Sequence, residues 1–133
     1  MKYGYTIVYV DSVEATLDFY CKAFGFTVRM LHEEDGFAYG ELETGATVLA
    51  FASHTLGEMN LDGNYHQASL EDKPFGFELA FVTEDVQAAH DRAVECGAVS
   101  LKLPMEKPWG QTVSYVRAID GSIIEFCTPM SQG

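Results

Sequence analysis

One carboxylate stands where a charge is costly to bury. Glu78 interrupts the apolar run of "FGFELAFVTEDVQAA" (residues 75–89), a segment that reads as a strand running into a helix. A carboxylate so placed has three chemical uses: it can ligate a metal, move a proton or pair with a cation. The other reactive side chains are scattered. His32, His54, His66 and His90 show no HxxxH spacing and read as surface or core-edge histidines. Cys21, Cys96 and Cys127 are odd in number and lack CxxC spacing, which argues against a disulfide framework or zinc ribbon and for packing as small apolar side chains. Tyr9, Phe51, Trp109 and Tyr115 could floor a pocket for a flat ligand, with the Gln111 amide offering hydrogen bonds, or could simply pack in the core. Trp109 sits between Pro108 and Gly110, a loop position that a core role explains poorly. Arg117, in "YVRA", ends a strand at the surface or supplies a cation to a site. "SLEDK" (69–73) reads as a solvated charge run.

The elements that would hold these residues come in two similar sets. "GYTIVYV" from Gly4 is rich in β-branched and aromatic residues, and Val13, Leu17, Tyr20 and Phe24 then follow at helical spacing. Asp11 is expected to cap this helix with Glu14 reaching back, and Gly25 to stop it. Three strands are expected at 26–32, 36–43 and 46–53, separated by "EED" and "TG" turns; their closeness implies an antiparallel meander. The order then recurs. "FELAFVT" leads through Glu84 and Asp85 to a helix carrying Val86, Ala89, Ala93 and Val94 that ends at Gly97, followed by "AVSLKL", "QTVSYVRA" and "SIIEFCT". Aligned, the halves match Val13 with Val86, Leu17 with His90 and Tyr20 with Ala93. Residues 54–74 show no regular period and read as a linker or a loop over a site.

Two copies of strand, helix and three strands, each too small to bury a core alone, resemble the vicinal oxygen chelate superfamily of glyoxalases, bleomycin-resistance proteins and extradiol dioxygenases. The resemblance covers residues 4–129 and is carried best by "YTIVYVDSVEATLDFYCKAFGF" and "PWGQTVSYVRAIDGSIIEF". It implies an α+β fold of two βαβββ modules, about 1–53 and 75–129, joined by the 54–74 linker into one domain. The modules of such proteins form facing curved mixed sheets around a cavity, and most members are homodimers.

Metal-using members place ligands on the first and last strands of each module, typically His or Gln, Glu, His and Glu. The matching positions here are Tyr5, Ala50, Glu78 and Glu125. Strand alternation puts Tyr5, Ile7 and Tyr9 on one face, and likewise Glu78, Ala80 and Val82 towards the cavity, with Phe77, Leu79 and Phe81 beneath the helix. Alanine has no donor, and a neutral tyrosine with a pKa near 10 is a poor ligand. Glu78 and Glu125 remain as candidate catalytic groups or, if a divalent metal binds at all, as its ligands. Two carboxylates in one cavity repel, so one should hold its proton near neutrality. The resemblance thus implies a metal-independent binding protein without cofactor, with Tyr5, Tyr9, Ala50, Phe51 and Glu78 lining the site alongside Trp109, Gln111, Tyr115 and Glu125. The alternative is a metal-dependent lyase or dioxygenase with an unusual ligand set, and a third possibility is an inert dimeric module.

Composition narrows the partners. The 133 residues contain 20 Asp and Glu against 8 Lys and Arg, a formal charge of −12 that repels phosphate backbones and anionic membranes. Nucleic acid and membrane are therefore not expected, while an aromatic or cationic small molecule is. With no long apolar segment and no signal-like start, a cytoplasmic location is expected.

Overall fold

A computed structural model describes residues 1–130. The chain divides between Ala68 and Ser69 into two compact units. The first contains β1 (Tyr5–Val10), α1 (Val13–Phe24), β2 (Thr27–Glu34), β3 (Phe37–Glu43), β4 (Val48–Ser53) and α2 (His54–Leu61). The second contains β5 (Glu78–Val82), α3 (Val86–Glu95), β6 (Val99–Glu106), β7 (Thr112–Arg117) and β8 (Ile123–Cys127). Each unit forms one four-stranded mixed sheet, in the order β1-β4-β3-β2 or β5-β8-β7-β6. The first and last strands pair in parallel, and the remaining pairs form the expected antiparallel meander. The fold is α+β, as the pattern of elements implied. Among the described residues no helix is long and apolar enough to cross a membrane.

Helix α1 forms where its apolar spacing predicts, and Val13, Leu17 and Tyr20 are buried. Its cap is Ser12 rather than Asp11: the Ser12 side chain accepts from the Ala15 amide at 3.1 Å, which a residue one position earlier does not do here. Gly25 closes the helix in a left-handed conformation, φ 78°. The β2–β3 turn also sits later than expected. Glu33 and Glu34 remain in the strand, and the reversal falls on Asp35 and Gly36, both at positive φ, as a two-residue hairpin turn requires.

Four further expectations are corrected. Residues 54–74 contain a helix, α2, capped by Ser53 and packed against β1, β3 and β4. His90 is a core residue, 2% exposed, with Nδ1 2.9 Å from Ser114 Oγ and Nε2 2.8 Å from Ser100 Oγ. Burial pushes its pKa down, so the ring is held neutral between two hydroxyls, while Val94, expected on the buried face, is 42% exposed. Finally, only Cys127 of the three cysteines is buried; Cys96 is exposed at the end of α3.

Candidate functional site

In the second unit, pleating and register bring the acidic residues together. Glu78 opens β5 in register with Ile123, and two residues on Ala80 is in register with Glu125, which in turn faces Tyr115 on β7. Residues two apart on a strand share a face, so Glu78, Glu125 and Tyr115 occupy one side of the sheet. The opposite side takes Ile124, Phe126, Ser114 and Val116, all buried on the side where His90 of α3 bonds Ser114. Leu79 and Phe81 are half-buried, whereas Phe77 precedes the strand and is 51% exposed, so it does not pack beneath the helix as expected.

The Glu78 and Glu125 side chains hydrogen-bond to each other, and the Tyr115 hydroxyl donates to Glu125 Oε1 at 2.9 Å. Lost hydration, then the bond and the charge of Glu125, raise the Glu78 pKa above the ordinary carboxylate range. Tyr115 is pushed up to about 12, first by burial and then by its bond to Glu125, so its phenol is a neutral donor. Burial and Glu125 likewise raise the Cys127 thiol, which removes it as a nucleophile at neutral pH.

A raised carboxyl pKa has a definite sign in stability. The fold holds the Glu78 proton more tightly than the unfolded chain does. Its stabilising contribution is therefore complete below the ordinary carboxylate value of about 4.3 and is lost as pH rises through the raised value. Glu78→Gln should keep the hydrogen bond without the ionisation. Thermal melts across that acidic-to-neutral window should show a flatter profile for the variant, with melting at neutral pH equal to or above that of the parent. A variant that melts much lower at neutral pH would make Glu78 a structural residue instead.

Farther along the sheet, Trp109 is 62% exposed in the turn between β6 and β7. Its indole Nε1 donates to Gln111 Oε1 at 2.7 Å, and Gln111 Nε2 donates to the Thr128 carbonyl at 2.8 Å. The ring is thus held in place with its faces accessible. Arg117 does not end its strand at the surface. It is 7% exposed and donates to the carbonyls of Gly121, Ser69, Leu70 and Asp72, so its guanidinium is engaged with backbone.

Tyr5 and Ala50 belong to the first unit. Tyr5 is 58% exposed, and Ala50 lies in register between Ile7 and Glu41. Tyr9 has a ring partner that sequence reading missed: Tyr65 lies 5.0 Å away between centroids, with its hydroxyl 2.8 Å from His54 Nδ1. Phe51 is corrected. It is fully buried against Tyr20, because alternation along β4 turns it to the side opposite Ala50, so it cannot touch a ligand on that face. Also missed were Tyr39 and Glu41 on β3, whose side chains join at 2.7 Å on the face shared with Tyr5. The i, i+2 spacing in "AYGELE" was the available signal.

The donor set does not fit a resident transition metal. Ala50 supplies no side-chain donor atom, Tyr5 offers only a phenol, and Glu125 already accepts from Tyr115. Among the described residues no group of three or more His, Cys, Asp or Glu could hold an ion.

A family model for a glyoxalase-like domain matches residues 3–131. Similar solved structures include a glyoxalase-related enzyme from Fulvimarina pelagi, 20% identical, covering 97% of this chain and 88% of that one at a TM-score of 0.81. A glyoxalase/bleomycin resistance protein/dioxygenase family enzyme from Burkholderia phytofirmans PsJN is 21% identical, with coverages of 94% and 96% and a TM-score of 0.73. TioX from Micromonospora sp. ML1 is 18% identical, with coverages of 96% and 98% and a TM-score of 0.69. No curated protein matches the sequence. A model spanning nearly the whole length means that the chain belongs to the glyoxalase-like family of the vicinal oxygen chelate superfamily.

Proposed function

We propose that the protein binds a small aromatic or cationic molecule without a metal, as a sequestering protein of the antibiotic-resistance kind, and acts as a homodimer. The observation that carries this reading is the Glu78–Glu125 pair with the Tyr115 hydroxyl on Glu125. Two carboxyls that share one proton present concentrated acceptor capacity, and a ligand ammonium or amidinium can take the place of that proton. The accessible Trp109 ring on the same unit suits a flat or cationic partner. The charge of −12 supports the same choice of ligand, by drawing cations in and disfavouring dicarboxylates such as glutathione.

Calorimetric titration with metal-free bleomycin, a cationic glycopeptide, and with planar aromatic cations tests the proposal. Binding is expected, and Glu78→Gln should weaken it by about 1.5 to 3 kcal/mol, the worth of a hydrogen bond to a charged group. Silence across the panel would remove the reading.

A second reading, a lyase or dioxygenase, is favoured by one feature: a shared proton beside a neutral phenol is also an acid–base pair. The Fulvimarina pelagi relative is described as an enzyme. Elemental analysis of protein purified without chelator, followed by assay with added nickel, zinc, manganese or ferrous iron, separates the two. Stoichiometric metal or restored turnover would favour the enzyme.

A further inference from the structure

The first unit holds a carboxylate that the acid pair of the second unit does not account for. Glu41 on β3 is 8% exposed and in register with Ala50 on β4. Ala50 is itself fully buried and offers no polar group, so Glu41, one strand over, is the acid at this register position, on the face where Ile7 on the other side of Ala50 is 46% exposed. The Tyr39 hydroxyl donates to Glu41 Oε2 at 2.7 Å, and Arg29 Nε lies 3.6 Å from Oε1 and 3.8 Å from Glu43 Oε1. Both Arg29 separations exceed hydrogen-bond length, and its side chain is 51% exposed, so this is a loose and screened ion pair rather than a structural clasp.

A nearly buried carboxylate is a poor way to stabilise a sheet, since an apolar residue of similar volume does as well or better. Yet the second unit has the same combination at the matching register: Tyr115 on its third strand stands opposite Glu125 on its last. In the first unit the acid has moved to the third strand, opposite the last-strand alanine, and again a tyrosine hydroxyl bonds it. Different residues thus put a carboxylate bonded by a tyrosine hydroxyl on one face of each sheet, across two strands in the second unit and along β3 in the first.

We propose that Glu41, with Tyr39 as its hydroxyl donor, is a second ligand-binding carboxylate that accepts a cationic nitrogen, and that Arg29 is the internal cation it exchanges for the ligand. The inference rests on the reading that the protein binds cationic small molecules. It predicts that Arg29 competes with ligand. It also assigns to the first unit an acid that the Tyr5 and Ala50 positions lack.

Benzamidine, a small planar aromatic cation at neutral pH, is the probe, and side-chain carboxyl 13C shifts are the readout. The Glu41 signal should move saturably. Arg29→Gln, at a half-exposed side chain whose loss leaves folding intact, should tighten that response by about three- to tenfold by removing the competitor. Glu41→Gln, checked for an unchanged melting profile, should leave only the Glu78 and Glu125 responses. If Glu78 and Glu125 respond while Glu41 stays still, or if Arg29→Gln weakens the Glu41 response, this inference falls and the proposed function stands. If no carboxyl responds, both fall.

Discussion

Arg117→Met should destabilise the protein by about 3 to 5 kcal/mol in urea titrations, even though the side chains are of similar length and the buried charge is gone. The loss arises on the acceptor side. Five N–H···O contacts from one guanidinium satisfy the carbonyls of Ser69, Leu70, Asp72 and Gly121, and methionine removes that donor from all four, leaving Ser69 only the Asp72 amide at 3.3 Å. Arg117→Lys should recover less than half of the loss, because a single ammonium cannot span acceptors on two backbone segments as the planar fork does. Amide exchange at residues 69–72 should rise in both variants. Gly121 belongs to the same arrangement: its φ is +98°, and a Cβ there would lie 2.8 Å from the Ser69 carbonyl carbon. A cost under about 1 kcal/mol for Arg117→Met would show that water replaces the guanidinium freely.

The second large effect lies under α1. Leu17 is 2% exposed and fills the space above Gly40, where a Cβ would stand 2.6 Å from Leu17 Cδ1 and 3.1 Å from Val13 Cγ1. Leu17→Ala should cost about 2 to 5 kcal/mol through lost burial and the cavity it leaves. Gly40→Ala should cost about 1 to 3 kcal/mol through overpacking against the same side chain. The two defects are complementary in shape. The double variant should therefore be more stable than the sum of the single losses implies, by about 1 kcal/mol or more in a double-mutant cycle. Additive losses would mean that the helix shifts to absorb each change separately.

The repeated order of strands and helices was legible because each element had its own local signal: β-branched runs, helical spacing at Val13, Leu17 and Tyr20, and glycines past the helix ends. Helix α2 had none. "HTLGEMNL" contains Gly57 and has only a weak apolar face, and it is held by tertiary contact. A methyl group at Gly57 would overlap the Tyr65 ring, so this glycine answers to a partner eight residues away rather than to its own helix. His90 misled for a similar reason. Aligned with Leu17, it falls on the buried face, but its two hydrogen bonds depend on serines from β6 and β7 that no local pattern links to it.

Within the site, Glu78 was legible as a charge breaking an apolar run, and matching the last strands led to Glu125. Glu41 was less so: its i, i+2 spacing with Tyr39 was visible, but between Gly40 and Leu42 it looks like an ordinary solvent-facing residue. Only the register that sets it opposite Ala50 gives it a role. Phe51 erred in the other direction: its chemistry suited a ligand floor, and a single step of strand parity sent it into the core.

The outermost strands β2 and β6 also bear on how the protein survives at high concentration. Each runs eight residues along a sheet margin and shows apolar groups to solvent, among them Val28, Met30, Leu101 and Leu103. Such a margin is a template for another molecule's backbone. Register slips between Val28 and Met30, and on both sides of Lys102, break the even row of amides and carbonyls, and a cation stands at each irregularity, Arg29 in one strand and Lys102 in the other. The kinks and charges together guard against fibril-like stacking.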